Sequence, residues 1–305
     1  MRRLAARLLE AAITLWLLAT LCFVLLRAAR GGPFDTEKAV PPEVEAALAA
    51  QYRLDQPLWQ QYLGWLGDVL RGDLGPSFQY PDYTVNQLIA QGLPVSLLNG
   101  GLALGLALAL GIPLGVWAAR RAGGWTDRSL MALAGLGLAV PKFVTAPLLI
   151  LLFAVTLNWL PAGGWDGHWR SVVLPVVALA LPNLAYCARL MRASVLETAS
   201  ADYLRAARAR GLPGHRILTH HLLRPALLPV VAWLSPALIS VVTGSAIVEQ
   251  VFGIPGIGRF FVQGALNRDY TLVLGTVLVV GAAIVLVNAL VDGVRGWMDP
   301  RAGNG

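Results

Sequence analysis

Lysine and cysteine are almost missing from this 305-residue chain: the lysines are Lys38 and Lys142, the cysteines Cys22 and Cys187. Both cysteines fall inside apolar runs, so neither a disulfide framework nor a metal cluster is indicated, and both are read as packing residues. Charge is also scarce, at 13% of residues against 56% hydrophobic, which does not describe a soluble globule. The formal charge is +7, but no lysine-rich tract is present to engage nucleic acid. No G-x-x-x-x-G-K-[ST] loop occurs, so the chain cannot cradle nucleotide phosphates itself. His168, His215, His220 and His221 lie in expected loops or at a span edge, and there is no H-E-x-x-H. Adjacent His220 and His221 would project apart on a helix, which argues against a chelating pair. No glycine-flanked serine shares a span with an activating histidine, so an intramembrane hydrolase lacks its groups. Acids are rare within the apolar runs. Glu249 and Asp292 sit at span ends, where solvation at a helix terminus accounts for them, and a midplane proton relay is not evident.

What the chain does have is several apolar runs near the length a bilayer requires. Six spans are expected, at about 8–28, 95–119, 129–157, 171–193, 222–248 and 271–294. Met1-Arg2-Arg3 resembles the start of a secretory signal, but the run from Leu8 to Leu26 is longer than the usual signal core and is read as a retained span. The second span carries Gly100, Gly101, Gly105, Gly111, Pro113 and Gly115, which permit close helix contacts. Pro141 and Pro147 break the third span, and Pro175 and Pro182 the fourth. With the amino terminus inside, fifteen cations and six acids fall on the cytoplasmic side, and the positive-inside rule selects that orientation. Lys142 is left within the membrane. Counted up from Arg128 it stands about 21 Å along the helix, near mid-bilayer, where an ammonium costs several kcal/mol unless it reaches water or a carboxylate.

Two segments are expected on the outer side. Residues 31–94 hold short helices, one with Leu58, Tyr62, Leu66 and Leu70 on a common face, and Trp59 and Trp65 suit a membrane interface. The segment from Val251 to Tyr270 carries Phe252-Gly253-Ile254-Pro255-Gly256-Ile257-Gly258, which suits a tight re-entrant turn rather than a helix. Between the fourth and fifth spans lies a polar stretch, Asp202-Tyr203-Leu204-Arg205-Ala206-Ala207-Arg208-Ala209-Arg210-Gly211-Leu212. Ser200 can cap its start, Asp202 suits the positive end of the helix dipole, and Gly211 followed by Pro213-Gly214 stops it after about three turns. Leu204, Ala207 and Gly211 share one stripe of this helix, with Arg205 and Arg208 on the next.

Arg205-Ala206-Ala207-x-x-x-Gly211 resembles the coupling loop of bacterial ABC importer permeases. Farther blocks resemble one branch of that class, the oligopeptide permease B subunits. They are Gly32-Pro33-Phe34, Pro41-Pro42-Glu43-Val44, Leu54-x-x-Pro57-Leu58, Gly72 to Phe78, Asp82 to Asn86, Trp159-Leu160-Pro161, Glu249-x-x-Phe252-x-x-Pro255-Gly256-Ile257-Gly258, Leu266 to Tyr270 and Asp299-Pro300-Arg301. Departures are Ala206 for a frequent Thr, Arg210 for a frequent Lys, and Lys142 where the family usually has a small polar residue. The resemblance implies an all-α multispanning protein with six transmembrane helices and the type I ABC importer permease fold. It would comprise a cytoplasmic tip and first span (1–30), a periplasmic segment (31–94) and a core of five spans (95–305), with the coupling helix at 199–213. The resemblance further implies a bacterial inner-membrane subunit, amino terminus cytoplasmic, that forms half of a path for oligopeptides and is not itself an enzyme. The implied partners are a second homologous permease, two cytoplasmic ATPases that carry the ATP and Mg, a periplasmic or lipid-anchored binding protein, the peptide and the surrounding lipid, with no nucleic acid. The residues expected to couple to the ATPases are Asp202, Leu204, Arg205, Ala206, Ala207, Arg208, Gly211 and Leu212. Those assigned to the path are Pro141, Lys142 and Glu249, where Lys142 meets either passing peptide carboxylates or an acid of the partner permease. No catalytic, cofactor or metal residue is assigned. Other cargo of the same family, a dipeptide or a nickel chelate, and an ATP-independent carrier are the alternatives.

Overall fold

The computed structural model describes residues 2–28 and 54–298. The blocks at 32–34, 41–44 and 299–301 lie outside them. The elements are α1 (Arg2–Ala28), α2 (Leu58–Leu70), α3 (Val85–Arg120), α4 (Trp125–Ala139), α5 (Lys142–Leu149), α6 (Trp169–Ala199), α7 (Asp202–Ala209), α8 (Leu223–Phe252), α9 (Ile257–Leu266) and α10 (Tyr270–Met298). Two segments wind with the wider π-helical pitch: Ile150–Thr156 extends α5, and Ile217–Leu222 leads into α8. Among the described residues the protein is built of helices, with one isolated bridge between Pro76 and Thr84. Among the described residues five helices are long and apolar enough to cross a bilayer, and six if α4 and the α5 segment, which meet at a bend of 103°, count as one span. The expected proline break in the third span therefore falls at Pro141. There the ring removes a helical donor and forces Val140 into an extended conformation (φ −84°, ψ 118°).

The chain divides into two compact units, Met1–Ser96 with Pro255–Val285, and Leu97–Ile254 with Leu286–Gly305. In the first, Val85, Leu88 and Ile89 of α3 pack with Ile257 and Phe260 of α9 and Leu272 of α10. Asp269, fully buried, ties this unit together. One carboxylate oxygen accepts from Ser77 Oγ and from the Phe78 and Gln79 amides, while the other accepts from Thr271 Oγ1 and from the Leu272 amide in the first turn of α10. Two blocks read separately in the sequence are thus one structure. The turn expected at 251–270 is only partly present. Gly253 (φ 66°) and Pro255 reverse the chain, but α9 then begins at Ile257, whose amide donates to Ser96 Oγ at 2.9 Å. Ile257, Phe260 and Gly264 line its buried side at i, i+3, i+7, a helical spacing that the neighbouring glycines had obscured.

The packed face of α2 also differs from the expected one. Gln61 is buried, Tyr62 and Trp65 stand against Phe23 of α1, and Leu58 and Leu70 are exposed. In the second unit, α6 packs between α4, α5 and α8, and Gly111 and Gly115 of α3 let it approach closely: a Cβ at Gly115 would lie 2.5 Å from the Ala188 carbonyl oxygen. Cys187 is buried in this core, as a packing residue should be.

Candidate functional site

The stretch at 202–212 folds as α7, eight residues and about 12 Å long rather than three turns. Asp202 stands in its first turn as expected. Ser200 does not cap it; its hydroxyl donates to the Glu197 carbonyl at 2.7 Å and so belongs to the end of α6, while the N-cap position is Ala201. Gly211 ends the element at φ 75°, where its amide donates to the Arg208 carbonyl and the Leu212 amide to the Ala207 carbonyl.

Burial divides α7 sharply. Leu204 is fully buried and Ala207 nearly so, whereas Asp202, Tyr203, Arg205, Ala206, Arg208, Ala209 and Arg210 are exposed. The expected stripe of Leu204, Ala207 and Gly211 is therefore not a knob offered to another protein. Leu204 and Ala207 enter a core with Met191 and Val195 of α6, Ile217 and Leu222 of the π-helical turn, and Ala226 and Val230 of α8; Ala119 of α3 belongs to the same cluster. Gly211 remains at the surface. The Tyr203 hydroxyl adds a bond to the His221 carbonyl at 3.3 Å. What α7 leaves uncovered is a basic face, on which Arg205 pairs loosely with Asp202 at 3.4 Å, both well solvated. Leu204 thus ties α7 to the buried cluster that it shares with α6, the π-helical turn and α8. No alternating pattern in the sequence marked the π-helical turn. Its excess of β-branched and histidine residues, Ile217-Leu218-Thr219-His220-His221, is the faint signal that was available.

A second clip lies on α6. Arg192 grips Asp127 of α4 with two bonds, Nη2 at 2.6 Å from Oδ2, and the same carboxylate accepts the Gly123 amide. This bidentate pair joins the bases of two spans, and in the sequence both residues counted only toward the charge of the cytoplasmic side.

The path residues separate into different environments. Pro141 is exposed at the bend and opens α5. Lys142 is half-buried, and its ammonium donates to the Ser240 carbonyl at 2.9 Å and to the Ser240 hydroxyl at 3.2 Å on α8. Neither expected partner, a cargo carboxylate or an acid of another subunit, is needed to account for its placement, since a carbonyl of its own chain holds it. Glu249, farther along α8, is 1% exposed and so is not a solvated helix end. At that end of the second unit the Gly164 amide donates to the Phe252 carbonyl at 2.7 Å, and a Cβ on Gly163 would come within 2.5 Å of the same oxygen. The glycines that follow the Trp159-Leu160-Pro161 block thus meet the Phe252 block there.

Comparison with known proteins places this geometry. The family described as "binding-protein-dependent transport system inner membrane component" matches residues 111–304. The oligopeptide transport system permease protein OppB of Haemophilus influenzae is 47% identical over 97% of either chain, and that of Salmonella typhimurium 46% over the same shares. The dipeptide transport system permease protein DppB of Bacillus subtilis is 40% identical over 95% of this chain and 94% of its own. Among solved structures, the MetNI methionine ABC transporter in an inward-facing conformation aligns with a TM-score of 0.58 at 22% identity, over 70% of this chain and 97% of that one. The shared fold is that of the ABC importer permeases. A family matched across most of the chain and relatives of nearly equal length place this protein among the inner membrane components of binding-protein-dependent transport systems.

Proposed function

We propose that this chain is one of two homologous permeases enclosing the path of an ATP-driven importer of oligopeptides, and that α7 is where cytoplasmic ATPases press on it. The observation that carries this reading is the division of α7 into a buried anchor, Leu204 and Ala207, and an exposed basic face. A helix meant only to be solvated has no reason to sink its leucine among the ends of three spans. The ATPases close and open with ATP; α7 follows them because Arg205 and Arg208 are held by a partner groove, and α3, α6 and α8 follow α7 because Leu204 is held by their core. Such transmission requires a contact whose energy differs between two states, not simple adhesion. Asp202, Ala206, Gly211 and Leu212 complete the coupling surface, with Gly211 permitting close approach. ATP and Mg belong to the partner chains. A binding protein on the other side of the membrane delivers the cargo.

The amino terminus is cytoplasmic in this proposal, since that orientation puts the arginine-rich α7 and the Arg192 clip on the side of the ATPases. Pro141 and Lys142 shape the wall of the path at the bend between α4 and α5, with Glu249 behind it. The cargo follows from the 47% relative, which is named for oligopeptides; the 40% relative, named for dipeptides, supports the shorter cargo as the second reading.

Replacing Arg205 and Arg208 together by glutamate tests the proposal. Peptide uptake and transport-coupled ATP hydrolysis should be lost while the chain inserts at its normal level, because neither side chain is part of the core. Undiminished uptake would refute the docking role of α7.

A further inference from the structure

A cavity of about 240 Å³ lies within the first unit, between the last turns of α1, one side of α2 and the start of α10. Two of its lining residues, Arg27 and Gln61, each carry a buried side-chain atom with no hydrogen-bond partner among the described residues, and the two atoms are of opposite polarity. Arg27 Nε is a donor; its guanidinium carbon stands 5.3 Å from the Phe23 ring centre and 5.0 Å from that of Tyr270. Gln61 Oε1 is an acceptor. Its orientation is fixed, because the amide nitrogen donates to the carbonyls of Leu54 at 3.1 Å and Gln56 at 2.7 Å. Two carboxylates share the lining: Asp68, which meets Arg71 at 3.6 Å, and Asp73, one oxygen of which accepts the Gly75 amide. Buried polar atoms left unmade are expensive, and each calls for an occupant of matching sign. A cation boxed by aromatic rings, facing an amide oxygen and two carboxylates, selects a group that carries an oxyanion and an ammonium together.

The outer surface of α2 says where such a group comes from. Trp59, Leu63 and Leu70 are 62%, 56% and 81% exposed on one stripe, while Gln61, Trp65 and Asp68 turn inward to the cavity. Apolar side outward and polar side inward is the reverse of a helix in water, and it is the arrangement of one resting in lipid. Tyr62 Oη and Thr20 Oγ1 are hydrogen-bonded at 2.7 Å, and Thr20 stands about 12 Å before the end of α1, so α2 rides beside the terminal turns of a span. That is the level of lipid headgroups.

We propose that this cavity holds the headgroup of a membrane phospholipid, phosphoethanolamine in class, with its phosphate on Arg27 and its ammonium on Gln61 Oε1 and the Asp68 and Asp73 carboxylates. A free dipeptide carries the same two charges and is the competing source. The test uses the assembled transporter purified in mild detergent, with retained lipid read by native mass spectrometry and thermal midpoints measured after adding back phosphatidylethanolamine, phosphatidylglycerol or a free dipeptide. The wild type should retain phosphatidylethanolamine and be stabilised by it alone. Arg27→Gln should lower retention about tenfold, or roughly 1.4 kcal/mol, and Arg27→Lys should restore most of it. Equal retention by Arg27→Gln, equal stabilisation by phosphatidylglycerol, or displacement by the dipeptide would overturn the proposal. The midpoint comparison needs no variant, so a poorly assembling Arg27→Gln still leaves a decisive result.

Discussion

Gly211 adopts φ 75°, yet nothing lies within 4 Å of where a Cβ would project from it. Its constraint within the chain is conformational, and any further constraint must come from outside. Gly211→Ala should cost about 1–2 kcal/mol through the left-handed backbone, measurable as a lower thermal midpoint. Gly211→Asn, which tolerates that region better, should leave the midpoint closer to wild type and still reduce uptake, because its side chain occupies the docking surface. Uptake that tracks the midpoint in both variants would mean Gly211 matters only for folding. Lys142 is a different case. Since Ser240 already accepts two bonds from its ammonium, we propose that the residue braces α5 against α8 rather than receiving cargo. Lys142→Ser should therefore reduce uptake of free-acid and amidated peptides equally; a selective loss on the free acid would restore the carboxylate role. From sequence alone the burial cost of this ammonium was legible, but its partner was not, because a backbone carbonyl about a hundred positions away carries no side-chain signature.

Among the elements, α7 and the π-helical turn behind it form one mechanical part. Leu204→Ala removes a fully buried side chain and should destabilise this part by about 2–5 kcal/mol, lowering uptake with the basic face intact. Deleting Thr219 from the π-helical turn should regularise it, turn α8 relative to α7 and break the bond from Tyr203 to the His221 carbonyl. Uptake should fall while the protein still inserts, and wild-type uptake by the deletion would show that the wide turn is incidental. The sequence located α7 correctly by its charge and its glycine stop. It misjudged which face was free, because leucine and alanine at i, i+3 are equally good at filling a partner's groove and at filling the chain's own core. For α9 the error ran the other way: Gly253, Pro255 and Gly256 marked a turn and masked the helical spacing of Ile257, Phe260 and Gly264 just beyond it. The bent crossing was legible at Pro141 because proline's missing donor acts locally, whereas the 103° it produces depends on packing against α6 and α8.

For the whole molecule, long apolar runs made the spans plain, since a bilayer sets their length without reference to any other part of the fold. The Asp269 clip and the Asp127–Arg192 pair were invisible for the opposite reason: each joins residues separated by 65 positions or more. The proposed coupling predicts that two ATPase polypeptides co-purify with this chain and a second permease. The most direct test of the account is a photo-crosslinker placed at Ala206, on the exposed face of α7, in cells expressing the complete transporter. The account predicts an adduct with the ATPase whose yield changes when ATP hydrolysis is trapped. No adduct at any stage of the cycle, or modification of position 206 by a membrane-impermeant reagent from outside, would contradict it.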